Sequence, residues 1–302
     1  MKLVIFDVSN SACALAVCPR GNSLMIDCGR HNEKVCPVDT IKMMREENGW
    51  LSTMEDYKTQ EGMTYPLTSL VITHPDADHI NNSERVKREL TPYLLSRRYL
   101  EDFPDGVIDN NVDSLEKYKK EFCDVYRGKN PEEPNWGFEK TPFLIPMSTL
   151  KDESIFETSK IKNNSSQVFL LNCANKFRIL FGGDMEEVGW GWLLDKNHNG
   201  FKDKIVNGVD ILVASHHGHT SGYSKKLIDT MGAPRLSILS KGAEEGDGTN
   251  ISSSYSQNSS GLQVRSLAAE KSELKYTLTT RSNGNIYIDI DLLGRPMIFS
   301  TR

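Results

Sequence analysis

No two of the six cysteines (Cys13, Cys18, Cys28, Cys36, Cys123 and Cys173) stand in a CxxC spacing, which removes the zinc-ribbon and thioredoxin-like readings. Most lie in apolar, strand-like contexts and are expected to be reduced thiols of a cytosolic protein. No stretch approaches the roughly 18 consecutive apolar residues that a membrane-spanning helix needs. The opening run Leu3-Val4-Ile5-Phe6 is broken at once by Asp7, too soon for the apolar centre of a secretory signal. The chain is therefore expected to be soluble and cytoplasmic, with no membrane partner. A surplus of positive charge is also missing, since 41 Asp and Glu outnumber 36 Lys and Arg and give a formal charge of −5. Attraction to nucleic acid would then need a local basic patch, because the net charge offers none. Repeats of about 20 to 50 residues are absent too, which excludes solenoids and propellers.

What is present is a series of short apolar runs ending in reactive residues. Leu3 to Phe6, Cys13 to Val17 and Leu24 to Ile26 read as a β-meander, and residues 37 to 48 as a helix opened by Pro37 and Asp39. Leu67 to Thr73 reads as a buried strand, Val112 to Tyr126 as a helix, and Gln167 to Asn172 with Phe177 to Phe181 as a hairpin. Val209 to Ala214 and Leu236 to Leu239 read as strands around a helix from Ser224 to Met231. The tail predicts a Ser/Asn/Gly-rich loop over 246–261, a helix over Leu262 to Glu270, and strands at Lys275 to Thr279, Asn285 to Ile290 and Pro296 to Ser300. Strands near both ends with helices between them point to a layered sandwich.

Five of the seven histidines fall in two groups, His74/His79 and His216/His217/His219, each following an apolar strand. Asp76 and Asp78 lie between the first two. An extended segment would put His74, Asp76 and Asp78 on one side, with His79 arriving from the next turn. So many imidazoles and carboxylates would repel one another or be costly to desolvate without a cation, so the cluster predicts a metal site. His31 and His198 lie in polar stretches and are expected to be solvated.

The segment His74-Pro75-Asp76-Ala77-Asp78-His79 resembles the His-x-His-x-Asp-His motif of the metallo-β-lactamase superfamily, with Asp76 in place of the second histidine. This variant is similar to the metallo-β-lactamase-like domain of the competence protein ComEC and its standalone relatives. Phe6-Asp7-Val8, Met25-Ile26-Asp27-Cys28-Gly29, Asn163-Asn164-Ser165-Ser166, Phe181-Gly182-Gly183-Asp184-Met185-Glu186 and Ser215-His216-His217-Gly218 extend the likeness along most of the chain. The resemblance implies an α/β fold, an αββα sandwich of two mixed sheets flanked by helices. It implies one domain over 1–302 with an elaborating insertion around 83–147. It also implies two divalent ions: His74 and Asp76 on one, Asp78 and His79 on the other, Asp184 bridging, and His216 completing the second site.

The superfamily's third-motif histidine, expected near Asn163 to Ser165, is absent. A site poorer in nitrogen shifts preference from zinc towards harder ions such as manganese. Where the relatives have a glycine-rich turn after Asp-Val, this chain has Ser9 to Ala12, and a Ser-rich stretch, Ser252 to Ser260, replaces another loop; both bear on substrate choice. Asp78 and His217 are the candidate catalytic residues. For His217 the sequence leaves open proton donation to a leaving oxygen, a hold on a phosphate, or a supporting hydrogen bond. Asp27 is either an orienting residue behind the ligands or a plain turn aspartate. Lys241 is a candidate phosphate contact.

Two close cations lower the pKa of a bridging water so that hydroxide is available at neutral pH. The resemblance directs this chemistry to phosphodiesters and implies a DNA nuclease. Lys87-Arg88, Arg97-Arg98 and Lys117, Lys119 and Lys120 are the basic runs that could form a groove, and Tyr93, Tyr99, Trp136 and Phe138 the aromatics that could stack bases. Two alternatives stand beside it: a hydrolase of a small substrate such as a cyclic nucleotide or lactone, and a metal-bound interaction module with vestigial catalysis. A neighbouring-gene partner, for example a defence-system ATPase, is a further expectation of the resemblance.

Overall fold

The structure is a computed structural model that describes residues 1–30, 36–108, 112–127, 132–241 and 251–302. His31 and residues 246–250 of the expected Ser/Asn/Gly-rich loop lie outside the described residues.

Short strands form where apolar side chains alternate between two buried faces. Along Lys2–Ile5 and Ala14–Val17, Leu3, Ile5, Ala14 and Ala16 face one core, while Val4, Leu15 and Val17 face another. The same alternation divides Phe169 and Leu171 from Val168 and Leu170 in Val168–Cys173. Strands buried on both sides need two sheets face to face with helices outside them. In sheet order, the larger sheet runs Lys271–Lys275, Leu262–Ser266, Pro296–Ser300, Ile286–Ile290, Lys2–Ile5, Ala14–Val17, Ser23–Ile26, Leu67–Val71 and Pro92–Ser96. The smaller runs Thr277–Thr279, Leu236–Leu239, Ile211–Val213, Phe177–Phe181, Val168–Cys173 and Glu139–Phe143. Both mix parallel and antiparallel pairs.

Between the sheets lies a core of Leu3, Ile5, Leu24, Phe169, Phe177, Ile179, Ile211 and Ile238. Outside, Pro37–Arg45 buries Val38, Ile41 and Met44, and Glu187–Asp195 buries Trp190, Leu193 and Leu194. Each such side chain taken out of water contributes about 1.5–3 kcal/mol. The architecture is thus the four-layer mixed α/β sandwich expected.

Three local expectations are corrected. Leu262–Ser266 is a strand, because Leu262 and Val264 turn inward while Gln263 and Arg265 stay exposed, a period of two and not of 3.6. The expected Lys275 to Thr279 strand breaks at Tyr276: Lys271–Lys275 belongs to the larger sheet and Thr277–Thr279 to the smaller, so the chain crosses between them. Within the expected loop, Ser252–Gln257 is helical and buries Tyr255, which meets Tyr223 edge-on at 5.1 Å. The 83–147 stretch supplies an edge strand to each sheet, Pro92–Ser96 and Glu139–Phe143.

Candidate metal centre

Leu67–Val71 and Ile211–Val213 run as parallel members of their sheets, and Phe177–Phe181 pairs in register with Ile211–Val213, Phe181 opposite Val213. These three strands deliver His74, Asp184 and His216-His217 to the same end of the sandwich. The backbone past His74 is not extended throughout. Asp76 is extended, with its carboxylate accepting from Ala77 N at 2.8 Å, and a helical turn Ala77–Ile80 follows. Asp78 and His79 therefore come from a capped turn, because the Asp76 side chain starts a helix there.

His74 and His79 are buried, and Asp184 is 4 % exposed in its side chain. Asp76 and Asp78 stand at the mouth, 30 % and 34 % exposed. His79 Nε2 lies 3.2 Å from Asp184 Oδ1 and 3.8 Å from Asp78 Oδ2. His217 Nε2 lies 3.0 Å from Asp78 Oδ2 and 3.9 Å from Asp184 Oδ2. His74 Nε2 is 3.7 Å from Asp184 Oδ2 and 3.9 Å from Asp76 Oδ2. Tetrahedral donors about 2.1 Å from an ion stand about 3.4 Å apart, and these separations straddle that value. Two groups, His74/His79/Asp184 and Asp78/His79/His217, bring their donor atoms within 4.8 Å of one another. His216 falls outside both: its Nε2 is 3.9 Å from Asp184 Oδ2 and its Nδ1 meets Ser221 Oγ at 2.8 Å.

The buried Nε2 atoms of His74, His79 and His217 have no aligned hydrogen-bond partner, although carboxylates stand close by. Such nitrogens are costly to bury unless something else meets their lone pairs, and a cation does. The opposite ring nitrogens are held. His79 Nδ1 donates to Asp27 Oδ2 at 2.8 Å and His217 Nδ1 donates to the Ser240 carbonyl at 3.1 Å, so in both the Nε2 lone pair faces the cluster. Asp27 also accepts from Thr73 N at 2.8 Å and from Thr73 Oγ1, which makes it an orienting residue and not a plain turn aspartate. The donor set thus fits a divalent cation.

Burial, with help from His79, pushes His74 down to about 4. Burial works against charge on His79 as well, but Asp27, Asp184 and Asp78 hold it well above the ordinary imidazole range. His217 is likewise raised against its burial by Asp184 and Asp78. Asp78 would be raised by burial but His79 and His217 draw it down to about 2, and Asp184 is held well below the carboxylate range by the histidines around it. Burial lowers His216. Without metal, the cluster is a set of ion pairs whose protons a cation must displace.

Sequence reasoning missed Lys162, whose Nζ stands 2.7 Å from Asp76 Oδ2. It immediately precedes the stretch where a histidine was sought, and that adjacency was the signal. Glu186, 5 % exposed, pairs with Lys160 at 3.1 Å. Lys241 is buried, and His198 lies against Trp192. The basic runs are largely engaged. Lys42, Arg85 and Arg88 converge on Glu89, Lys117 meets Glu84 and Asp113, and Arg97 and Arg98 donate to the carbonyls of Cys123, Ser165 and Ile145. Tyr93 stacks on Tyr57 at 4.4 Å, Tyr99 lies under Arg97, and Trp136 stacks on Phe138. A cavity of about 560 Å³ opens at the other end of the smaller sheet beside Arg178 and Asp210, away from these donors.

No protein family matches the chain, and no curated protein does. Among solved structures, a mutant of the CmlA β-hydroxylase is similar at a TM-score of 0.43 and 14 % identity, over 82 % of this chain and 48 % of that one. Zinc-bound PqqB from Methylobacterium extorquens is similar at a TM-score of 0.35 and 13 % identity, over 70 % of each chain. The chain spans about half the length of the first. Both likenesses are distant, so the functional reading rests on the side chains above.

Proposed function

We propose that this chain is a metal-dependent phosphodiester hydrolase, with DNA as the polymer substrate and zinc or manganese as the metal. The observation that carries the metal part is the convergence of three buried, unpartnered imidazole nitrogens on the carboxylates of Asp78 and Asp184. His74 and Asp76 would hold one ion, Asp78 and His79 a second, and Asp184 would serve both. His217, nearer to Asp78 than His216 is, would complete the second set. A bound divalent cation supplies Lewis acidity and a water acidified towards neutrality. Asp78 is one-third exposed at the mouth, where its carboxylate would orient an attacking water. His217 Nε2 stands 3.0 Å from that carboxylate, close enough for both to serve as donors to one ion. The choice of phosphodiester is supported by the oxygen-rich motif and its resemblance to DNA-handling relatives.

A second reading, a small diester such as a cyclic nucleotide, is favoured by the engagement of the basic runs with local carboxylates and carbonyls. Purified protein with manganese or zinc, given single-stranded DNA, duplex DNA, cyclic nucleotides and a lactone, separates these readings. Activity on either DNA supports the nuclease, activity on cyclic nucleotide alone supports the second reading, and activity on none rejects both. The interaction-module alternative requires that Asp78→Ala lose metal yet keep biological activity. Association with a neighbouring-gene partner, such as a defence-system ATPase, is a companion proposal that co-purification tests.

A further inference from the structure

Lys162 sits on the short helix Ile161–Asn164, which faces the mouth of the centre, and its ammonium meets the one candidate ligand that is both exposed and at the rim of the His74 side. The side chains of Lys162 and Asp76 are 32 % and 30 % exposed, whereas His74 beneath them is fully buried. The pair therefore lies on the solvent side, where a substrate must enter. The neighbouring lysine, Lys160, is held at 3.1 Å by buried Glu186, with Asn163 donating to the same carboxylate. Lys162, by contrast, is paired with an oxygen that a cation at His74 and Asp76 would claim. A dication and an ammonium repel, so a cation bound there would compete with Lys162 for that oxygen and weaken the pair.

We propose that Lys162 is the anion-binding residue of this site, paired with Asp76 in the metal-free protein and released to a non-bridging oxygen of the substrate's phosphate when a cation takes that carboxylate. The inference rests on the phosphodiesterase reading and assigns the substrate's charge a named partner. An ammonium on a flexible stem suits this task, since it reaches either partner by rotating its own side chain. Loading with metal thus prepares the anion site, and the chain exposes its substrate-binding cation only when the centre is filled.

Calorimetric titration of inorganic phosphate into manganese-loaded protein, alongside manganese titration of the metal-free protein, tests this with Lys162→Met and Lys162→Arg. Phosphate affinity is expected to fall at least about tenfold in Lys162→Met and to be largely kept in Lys162→Arg. Manganese affinity is expected to rise in Lys162→Met, because a competitor for Asp76 is gone. Equal phosphate binding by Lys162→Met and the unaltered protein, or weaker manganese binding by Lys162→Met, overturns the role of Lys162 alone. Failure of the manganese-loaded unaltered protein to bind phosphate overturns the phosphodiesterase reading with it. Circular dichroism of both variants establishes that a half-exposed substitution has left the fold intact.

Discussion

Asp27 illustrates how much of the centre is decided by single residues behind the ligands. It is buried, its backbone lies in the left-handed region at φ 57°, and its carboxylate accepts a hydrogen bond from Nδ1–H of His79. A non-glycine residue held there costs on the order of 1–3 kcal/mol, a strain that persists because Thr73 and His79 both bind the side chain. Asp27→Ala is expected to weaken metal binding about 10- to 100-fold while the chain still folds, measured by competition with a chromogenic chelator. Asp184 makes contact with both sets of donors, and Asp184→Ala is expected to abolish stable metal binding. The protons on His79 and His217 give the centre a signed pH dependence. Both are raised in the metal-free fold. Their ion-pair stabilisation is therefore fully present below the unfolded imidazole value of about 6.5 and is lost as pH rises through the raised values. A metal must displace those protons, so its apparent affinity should climb with pH by about tenfold per unit for each proton released. Titration in two buffers of different ionisation enthalpy counts those protons, and a count of zero would contradict the ion-pair description of the metal-free centre.

The turn Ser215–Gly218 shows what an element contributes. His216 and His217 are both left-handed, at φ 49° and 53°, and His216 N donates to the Gly183 carbonyl at 2.9 Å, which locks the turn to the Asp184 loop. Gly218 follows at φ 78°, where an added Cβ would come within 2.4 Å of Leu239 Cδ2. Gly218→Ala should therefore destabilise the chain by roughly 1–3 kcal/mol and move His217, reducing metal affinity as well. Urea unfolding checks the first effect and chelator competition the second. The strands that carry these turns were legible because Leu67 to Val71 and Ile211 to Val213 are short, largely apolar runs that lead into the histidine groups. The turns themselves were less so, since nothing in the order His-His-Gly says which imidazole enters the cluster; left-handed backbone decides it. Leu262–Ser266 was misread because two inward residues in a polar stretch fit a helix as easily as a strand until the sheet supplies a neighbour. Lys162 was missed because a lysine beside two asparagines reads as surface until helix Ile161–Asn164 turns it towards Asp76.

At the scale of the molecule, the donors come from both sheets. His74, Asp76, Asp78 and His79 follow a strand of the larger, while Asp184, His216 and His217 follow strands of the smaller. A cation held by them would tie the two layers together at one end, and so should stabilise the whole fold, by about 2.7 kcal/mol at a hundredfold excess over Kd. Thermal unfolding with manganese or zinc, and again after a chelator, should show a higher Tm with metal that the chelator reverses. No described helix is long and apolar enough to cross a membrane, and the six cysteines are unpaired thiols. The layered architecture could be anticipated from strand and helix order, but the pairing of sheet edges could not, because Pro92–Ser96 and Glu139–Phe143 lie in a stretch whose charged composition resembles an insertion. The most direct test of the central claim is elemental analysis of the purified chain and of Asp184→Ala after dialysis against manganese or zinc. The account predicts bound metal in near-integral proportion to the unaltered chain and little in the variant; a chain that emerges metal-free, or a variant that keeps full occupancy, would contradict it.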